Sequence, residues 1–290
     1  MIWLIGNKGM LGTDLSLLLE KSGFSYIGTD RELDITDQTA LVEFAEKRPF
    51  TWIVNCAAYT AVDKAEDDRE NCRLLNTTGA GNIAHTARET GARMVHISTD
   101  YVFNGSGNSP YTEEDTTDPA GVYGLTKRDG EIKVLEESAS SYIIRTAWLY
   151  GKYGGNFVKT MLRLMNERDE VKVVNDQKGS PTWTGDLASV IIAIIQAVND
   201  GKTVPFGIYH YTNEGEITWF DFAGEIYRQG REFGRITKDC AVKPCTGAEY
   251  PSRVRRPGYS VLDKTKIKKA LGIKIPVWDE SLRGFLAEYA

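Results

Sequence analysis

Tyr123 and Lys127 stand four residues apart in the run Tyr-Gly-Leu-Thr-Lys. On a helix that spacing puts both side chains on one face. A free phenol is a weak acid, with an ordinary pKa of about 10. A neighbouring ammonium favours the phenolate and lowers that value. The pair then suits general acid–base work on a carbonyl or alcohol oxygen. Ser98-Thr99-Asp100 closes an apolar run just upstream and offers hydroxyls to the same oxygen. Thr99, Tyr123 and Lys127 are the candidate catalytic residues. Asp100 reads either as a contact beside them or as a turn cap.

A second constellation is Gly6-Asn7-Lys8-Gly9-Met10-Leu11-Gly12. Glycine at these positions lets the chain turn sharply, approach a pyrophosphate closely, and pack a helix onto its strand. The amide groups at the helix start then attract the anion. The run follows the first apolar segment and opens an amphipathic one, the context that a dinucleotide fingerprint requires. Gly6, Gly9, Met10, Leu11 and Gly12 are therefore candidate cofactor contacts. Asp30 follows the second apolar run and suits the ribose hydroxyls of NADH, whereas Arg31 beside it suits the 2′-phosphate of NADPH. The residues leave that choice open. Asp34 and Ile35 read as a loop flanking the adenine or as a turn before the next helix.

These groups need a scaffold. Strands are expected at 2–5, 25–28, 52–56, 94–98 and 142–146. Helices are expected at 10–22, 38–47, 69–90 and 123–138. Strict alternation argues for a parallel sheet covered on both faces. The expected fold class is α/β, a Rossmann-type doubly wound parallel sheet with a smaller C-terminal cap. Residues 1–150 form the NAD(P)-binding part in this reading. Residues 151–290 are mainly a substrate-binding cap, with some segments returning to the main sheet. Helices are expected there at 156–167, 186–198, 219–231 and 279–289. The loop 246–260 is rich in Pro, Arg and Tyr. Its Arg256 suits a diphosphate, since guanidinium forks match paired oxygens. Trp148 offers an apolar face to a sugar or base. Asn156 reads as a nucleotide contact or as a helix N-cap.

Composition narrows the classes. The 290 residues are 41% hydrophobic and 26% charged, with a net charge of −5. That balance argues against nucleic acid as the main partner, because duplex binding needs a basic surplus. No apolar run approaches the roughly 20 residues of a membrane span, and no leader is read before the strand at Ile2. A cytoplasmic protein without membrane contact is the expectation. The four cysteines and three histidines show no metal-ligand spacing, so no metal site is assigned.

The glycine loop, Asn55-Cys56-Ala57-Ala58, Ser98-Thr99 and Tyr123/Lys127 together resemble the extended short-chain dehydrogenase/reductases. Longer blocks resemble the dTDP-4-dehydrorhamnose reductase family within them. These are residues 57–66, 96–103, 145–151, 156–158 and 175–182. The resemblance implies reduction of the 4-keto group of a dTDP-sugar, dTDP-4-dehydro-β-L-rhamnose, by NADPH or NADH. It implies Tyr123 as proton donor, Lys127 as its partner and Thr99 as a substrate-bonding hydroxyl. Residues 9–11, Asp34, Ile35, Ala57, Ala58, Tyr59 and Thr60 match cofactor contacts. Val62, Asp100, Trp148 and Arg256 match the substrate side. Some relatives carry a divalent metal near a dimer interface, but no carboxylate cluster in this sequence carries that over. A monomer or homodimer is expected. Two rival readings are a sugar-nucleotide epimerase or dehydratase, and a non-catalytic subunit like the methionine adenosyltransferase regulatory subunit. Tyr101 after Asp100 departs from the dehydratase pattern of Asp-Glu.

Overall fold

The computed structural model describes residues 1–250 and 253–289. Pro251 and Ser252, within the loop singled out above, lie outside the described residues. In chain order the first half runs β1 (Ile2–Ile5), α1 (Met10–Lys21), β2 (Tyr26–Thr29), α2 (Gln38–Glu46) and β3 (Trp52–Asn55). Two short helices follow, α3 (Val62–Ala65) and α4 (Arg69–Arg73). Then come a π-helical turn (Leu74–Gly79), α5 (Ala80–Thr90), β4 (Arg93–Thr99), α6 (Val122–Glu137) and β5 (Ser141–Thr146). The second half holds β6 (Leu149–Tyr150), α7 (Phe157–Glu167), β7 (Glu170–Val174), β8 (Lys178–Gly179), β9 (Thr182–Trp183) and α8 (Thr184–Asn199). It ends with β10 (Gly207–His210), β11 (Ile217–Thr218), α9 (Trp219–Glu232), β12 (Ala241–Cys245), α10 (Thr265–Leu271) and α11 (Trp278–Glu288).

β1 is Ile-Trp-Leu-Ile, buried at every position. Alternate side chains serve opposite faces, as the strand period dictates. Ile2 and Leu4 join a core with α1 and α8, where Leu11, Leu15, Leu19, Ile191 and Ile194 meet. Trp3 and Ile5 join a second core with α2 and α5 through Leu41, Ala45, Ile83 and Ala87. A strand buried on both faces belongs in a parallel sheet. The sheet is parallel throughout, ordered β2-β1-β3-β4-β5-β10. This is the expected doubly wound α/β architecture. The order reverses between β1 and β3, and ligands of such sheets bind beyond the strand ends at that switch point.

Register brings the chemistry to one edge. Ile5 pairs with Asn55, Asn55 with His96, and Thr99 with Thr146. The loops after β1, β3, β4 and β5 therefore leave the same side of the sheet. α6, which carries Tyr123 and Lys127, is fixed from beneath by a buried ion pair. Arg145 of β5 donates to both oxygens of Glu131 at 2.9 and 2.7 Å. His210 of β10 accepts from Arg145 at 3.4 Å, and its ring bonds the Tyr111 carbonyl at 3.1 Å. Burial and the guanidinium push His210 down to about 3, so its ring is neutral. A third core joins α7, α9 and α11 through Val158, Met165, Phe222, Ile226 and Phe285. β7 pairs in parallel with β12 beside it.

The single helix expected over 69–90 is three pieces. The π-helical turn widens the helix where Asn76 points inward and bonds the Tyr59 amide and carbonyl at 2.8 and 3.1 Å. Such turns recur at functional sites. Gly91 ends α5 with φ +68°, the left-handed stop that its position after the helix predicts. Among the described residues, no helix is long and apolar enough to cross a membrane.

Candidate active site

Gly6 turns the chain out of β1 at φ +78°, and a Cβ there would lie 2.7 Å from the Ala57 amide nitrogen. At Gly12 a Cβ would lie 2.0 Å from the Gly6 carbonyl oxygen. Only glycine lets the three segments meet. Gly9 is the N-cap of α1 and supplies no side-chain cap. The first amide groups of the helix are thus left open to an anion. A backbone cradle with an uncapped helix start fits the pyrophosphate of a dinucleotide. The Asp30 carboxylate accepts from the Lys8 and Arg31 amides at 3.2 and 2.9 Å, so the acid sits on the rim of the loop. Lys8 pairs with Glu32 at 3.1 Å on the surface. Asp34 accepts from the Thr36 amide at 2.9 Å. Ile35 is buried against Gly79, where a Cβ would come within 2.7 Å of it.

The chain after β3 is pinned from two sides. Asn55 Oδ1 accepts from the Ala57 amide at 2.9 Å. Asn76 holds the Tyr59 backbone, and the Tyr59 hydroxyl donates to Asp68 at 3.0 Å. Ala57, Ala58 and Tyr59 thereby run beside the glycine loop. Thr60 is exposed, and Val62 starts α3.

Thr99, Tyr123 and Lys127 converge beyond β4. The Thr99 hydroxyl donates to Asp100 Oδ1 at 3.0 Å and accepts from the Tyr101 amide at 3.2 Å. It also acts on the Tyr123 phenol, lowering its pKa against the larger effect of burial. Burial raises Tyr123 well above the ordinary phenol value, and Asp100 and Tyr101 push it further the same way. The Lys127 amine points instead at the Ile97 carbonyl, 2.7 Å away, and at His96 Nε2, 3.3 Å away. Burial brings Lys127 down to about 8. The expectation that an ammonium makes this phenol acidic is thus reversed: burial dominates, and Tyr123 lies above its ordinary value rather than below it. Asp100 is buried, and desolvation lifts it to about 6. Its Oδ2 has no hydrogen-bond partner among the described residues. The nearby Ser260 hydroxyl donates to the Lys178 carbonyl at 3.4 Å.

A cavity of about 830 Å³ opens beside Asp100, within the range of small-molecule sites. Trp148, Trp219, Lys172, Gln177, Tyr250 and Arg256 are among its walls. Trp148 adopts a left-handed φ of +48°, a strained setting for a large side chain. Arg256 donates to the Tyr101 hydroxyl at 2.9 Å and pairs with Asp63. It ties the C-terminal loop to α3 at the cavity wall.

Not every predicted residue reaches this cavity. Asn156 caps α7 by accepting from the Lys159 amide at 3.1 Å, and its Nδ2 donates to the Gly151 carbonyl at 2.7 Å. Its side chain is committed to the cap, near Met10 of the glycine loop. Val62, Thr99, Tyr123 and Lys127 are absent from the lining, whereas Asp63, Asp100 and Tyr101 are present. Residue-type reasoning missed Trp219, Lys172, Tyr101 and His96. Trp219 reads in sequence as a helix start, and His96 as one more member of an apolar strand.

A family profile described as the RmlD substrate binding domain matches residues 1–290. The dTDP-4-dehydrorhamnose reductase of Streptomyces griseus is 46% identical over 273 residues, covering 92% of this chain and 87% of that protein. The enzyme of the same name from Aggregatibacter actinomycetemcomitans is 40% identical over 284 residues, covering 97% of each. The solved dTDP-4-dehydrorhamnose reductase of Bacillus anthracis, in complex with NADP, matches with a TM-score of 0.92. It is 36% identical, covering 99% of this chain and 98% of that one. With the profile spanning its full length, the chain belongs to the RmlD substrate binding domain family.

Proposed function

We propose that this protein is an NAD(P)H-dependent oxidoreductase that reduces the 4-keto group of dTDP-4-dehydro-β-L-rhamnose to give dTDP-L-rhamnose. The observation that supports the reading is that the Thr99 hydroxyl bonds Asp100, which lines a cavity with Trp148 and Arg256, at the sheet edge from which the uncapped glycine loop also leaves. The full-length likeness to reductases of that name supports the substrate. Residues 1–150 serve as the NAD(P)-binding part and 151–290 mainly as the substrate cap. The protein works in the cytoplasm as a monomer or homodimer.

The residues divide the work as follows. The glycine loop and the start of α1 hold the pyrophosphate. Ala57, Ala58, Tyr59 and Thr60 border the same cofactor, whose reduced nicotinamide supplies the hydride. The Thr99 hydroxyl and the Tyr123 phenol hold the 4-keto oxygen. Tyr123 gives its proton to the alkoxide as it forms, and a phenol carries that proton at neutral pH. Two positioned donors in a desolvated cleft stabilise the developing negative charge. Trp148 and Trp219 offer flat faces to the sugar or base. Arg256 meets the diphosphate by exchanging the Asp63 carboxylate for phosphate oxygens.

The test is consumption of NADPH or NADH by purified protein given enzymatically prepared dTDP-4-dehydrorhamnose. One dTDP-rhamnose should form per reduced cofactor lost. Both ligands binding with no net oxidation would leave the reductase reading without support and point to an epimerase, a dehydratase or a binding subunit.

A further inference from the structure

Tyr101 lies in a single 3₁₀ turn, Asp100–Val102, directly after β4, and it lines the cavity. The reaction described above gives it no role, yet it touches both ends of the site. Its backbone amide donates to the Thr99 hydroxyl at 3.2 Å. Its carbonyl packs against the first turn of α6, where a Cβ on Gly124 would lie 2.1 Å from the oxygen. Glycine there lets the helix sit directly on the Tyr101 backbone, next to Tyr123 in the chain. The Tyr101 ring meets the Tyr123 ring edge to face, with centroids 5.5 Å apart and planes at 75°. Aromatic pairs of this kind favour one relative orientation. At the other end, the Tyr101 hydroxyl accepts from Arg256 Nη1 at 2.9 Å. Arg256 Nη2 pairs with Asp63 instead. The two nitrogens of one guanidinium thus have different partners, and a rigid planar fork held at one nitrogen has the other one aimed.

We propose that Tyr101 is a positioning residue that sets the spacing between the diphosphate grip at Arg256 and the proton donor at Tyr123. Its hydroxyl keeps Nη1 while Nη2 exchanges the Asp63 carboxylate for a phosphate oxygen, so the guanidinium stays oriented through the exchange. Its ring seats the Tyr123 phenol, and its amide holds the Thr99 hydroxyl. In a sugar nucleotide the diphosphate is on C1 and the keto group is on C4, across the ring. One side chain joined to both grips therefore fixes how far the keto oxygen lies from the donor once the diphosphate is bound, and geometry at the reacting atom governs the rate. The two functions of Tyr101 are separable by chemistry. Phenylalanine keeps the ring contact and releases Arg256, whereas leucine gives up both. The proposal rests on the reductase reading.

Steady-state kinetics with dTDP-4-dehydrorhamnose at saturating NADPH compare the wild type with Tyr101→Phe, Tyr101→Leu, Arg256→Lys and the Tyr101→Phe/Arg256→Lys double variant. Tyr101→Phe should raise KM about 3–10-fold, more than it lowers kcat. Tyr101→Leu should lower kcat by about a further tenfold, while NADPH affinity holds. With lysine at 256 there is no fork to orient, so adding Tyr101→Phe should change KM by less than about twofold. A residue that only supports the fold costs the same in both backgrounds, and that result overturns the proposal. A kcat for Tyr101→Leu equal to that of Tyr101→Phe overturns it too. If the leucine variant does not fold, the cycle between Tyr101→Phe and Arg256→Lys decides. Calorimetric affinity for thymidine diphosphate, measured across the same cycle, reads the grip without hydride transfer. A wild type that binds thymidine diphosphate but oxidises no NADPH removes the reductase reading alone, and the cycle in affinity then decides the proposal. A wild type that does not bind it overturns the proposal.

Discussion

The Trp148 and Trp219 rings stack face to face, with centroids 3.6 Å apart and planes 11° from parallel. Trp148 is held there by a left-handed backbone and by Gly179 beneath it, where a Cβ would lie 2.5 Å from the indole. The pair forms part of the cavity wall, and its second member starts a helix about seventy residues further along the chain. Stacked aromatic contacts contribute about 0.5–1.5 kcal/mol beyond area burial. Trp219→Ala should raise KM for the sugar nucleotide roughly 3–10-fold and change kcat less. Steady-state kinetics at saturating cofactor checks this. An unchanged KM removes Trp219 from substrate contact.

Tyr123→Phe removes the proton donor and leaves the ring. Turnover should fall by about 10²–10⁴-fold, while cofactor affinity, followed by nicotinamide fluorescence, stays within a few-fold. Turnover near the wild-type level would assign the proton to another group.

Gly12→Ala places a methyl against the Gly6 carbonyl, 2.0 Å away in the present geometry. Both partners are backbone, so neither side can give way cheaply. Cofactor affinity should drop by more than about tenfold, and strain from overpacking should cost about 1–3 kcal/mol of stability. Calorimetry with and without NADPH separates the two effects. Wild-type affinity would mean that the loop tolerates a wider turn than the packing allows.

Asp100 gives a pH signature. Its folded value is raised from 3.8 to about 6, so between those limits the folded state binds a proton that the unfolded state has released. Stability from this group is complete below about 4 and is lost as pH rises through 6. Above that, the buried charge costs up to about 3 kcal/mol. Asp100→Asn should raise Tm at pH 7.5 and have little effect at pH 4. Equal shifts at both values would show that the carboxylate is not desolvated in the folded protein.

Much of this architecture is legible in residue patterns. The apolar runs at 2–5 and 52–55 are buried on both faces, and strands of that kind announce themselves by composition alone. The glycine loop is legible because φ, close approach and helix packing each exclude a side chain. Boundaries moved by a residue or two, as at α6, which begins at Val122, and α11, which begins at Trp278. The π-helical turn before α5 was not legible, since its cause is Asn76 reaching the Tyr59 backbone across a tertiary contact. Segments of the second half are expected to return to the main sheet, but that β10 does so beside β5 is a long-range event that no local pattern specifies. Within the site, the four-residue spacing brought Tyr123 and Lys127 to one helix face. It carried no information about His96, which the β3–β4 register places opposite Asn55. The roles of Trp219 and Lys172 depend on how the second half folds over the sheet, which no local pattern encodes.

The central claim is net hydride transfer to the sugar. The most direct measurement uses NADPH deuterated at the transferring position of the nicotinamide, with dTDP-4-dehydrorhamnose as acceptor. The account predicts dTDP-rhamnose with deuterium at C4, one label for each cofactor oxidised, formed far more slowly by Tyr123→Phe. A product without deuterium, or sugar conversion with the cofactor still reduced at the end, would contradict it.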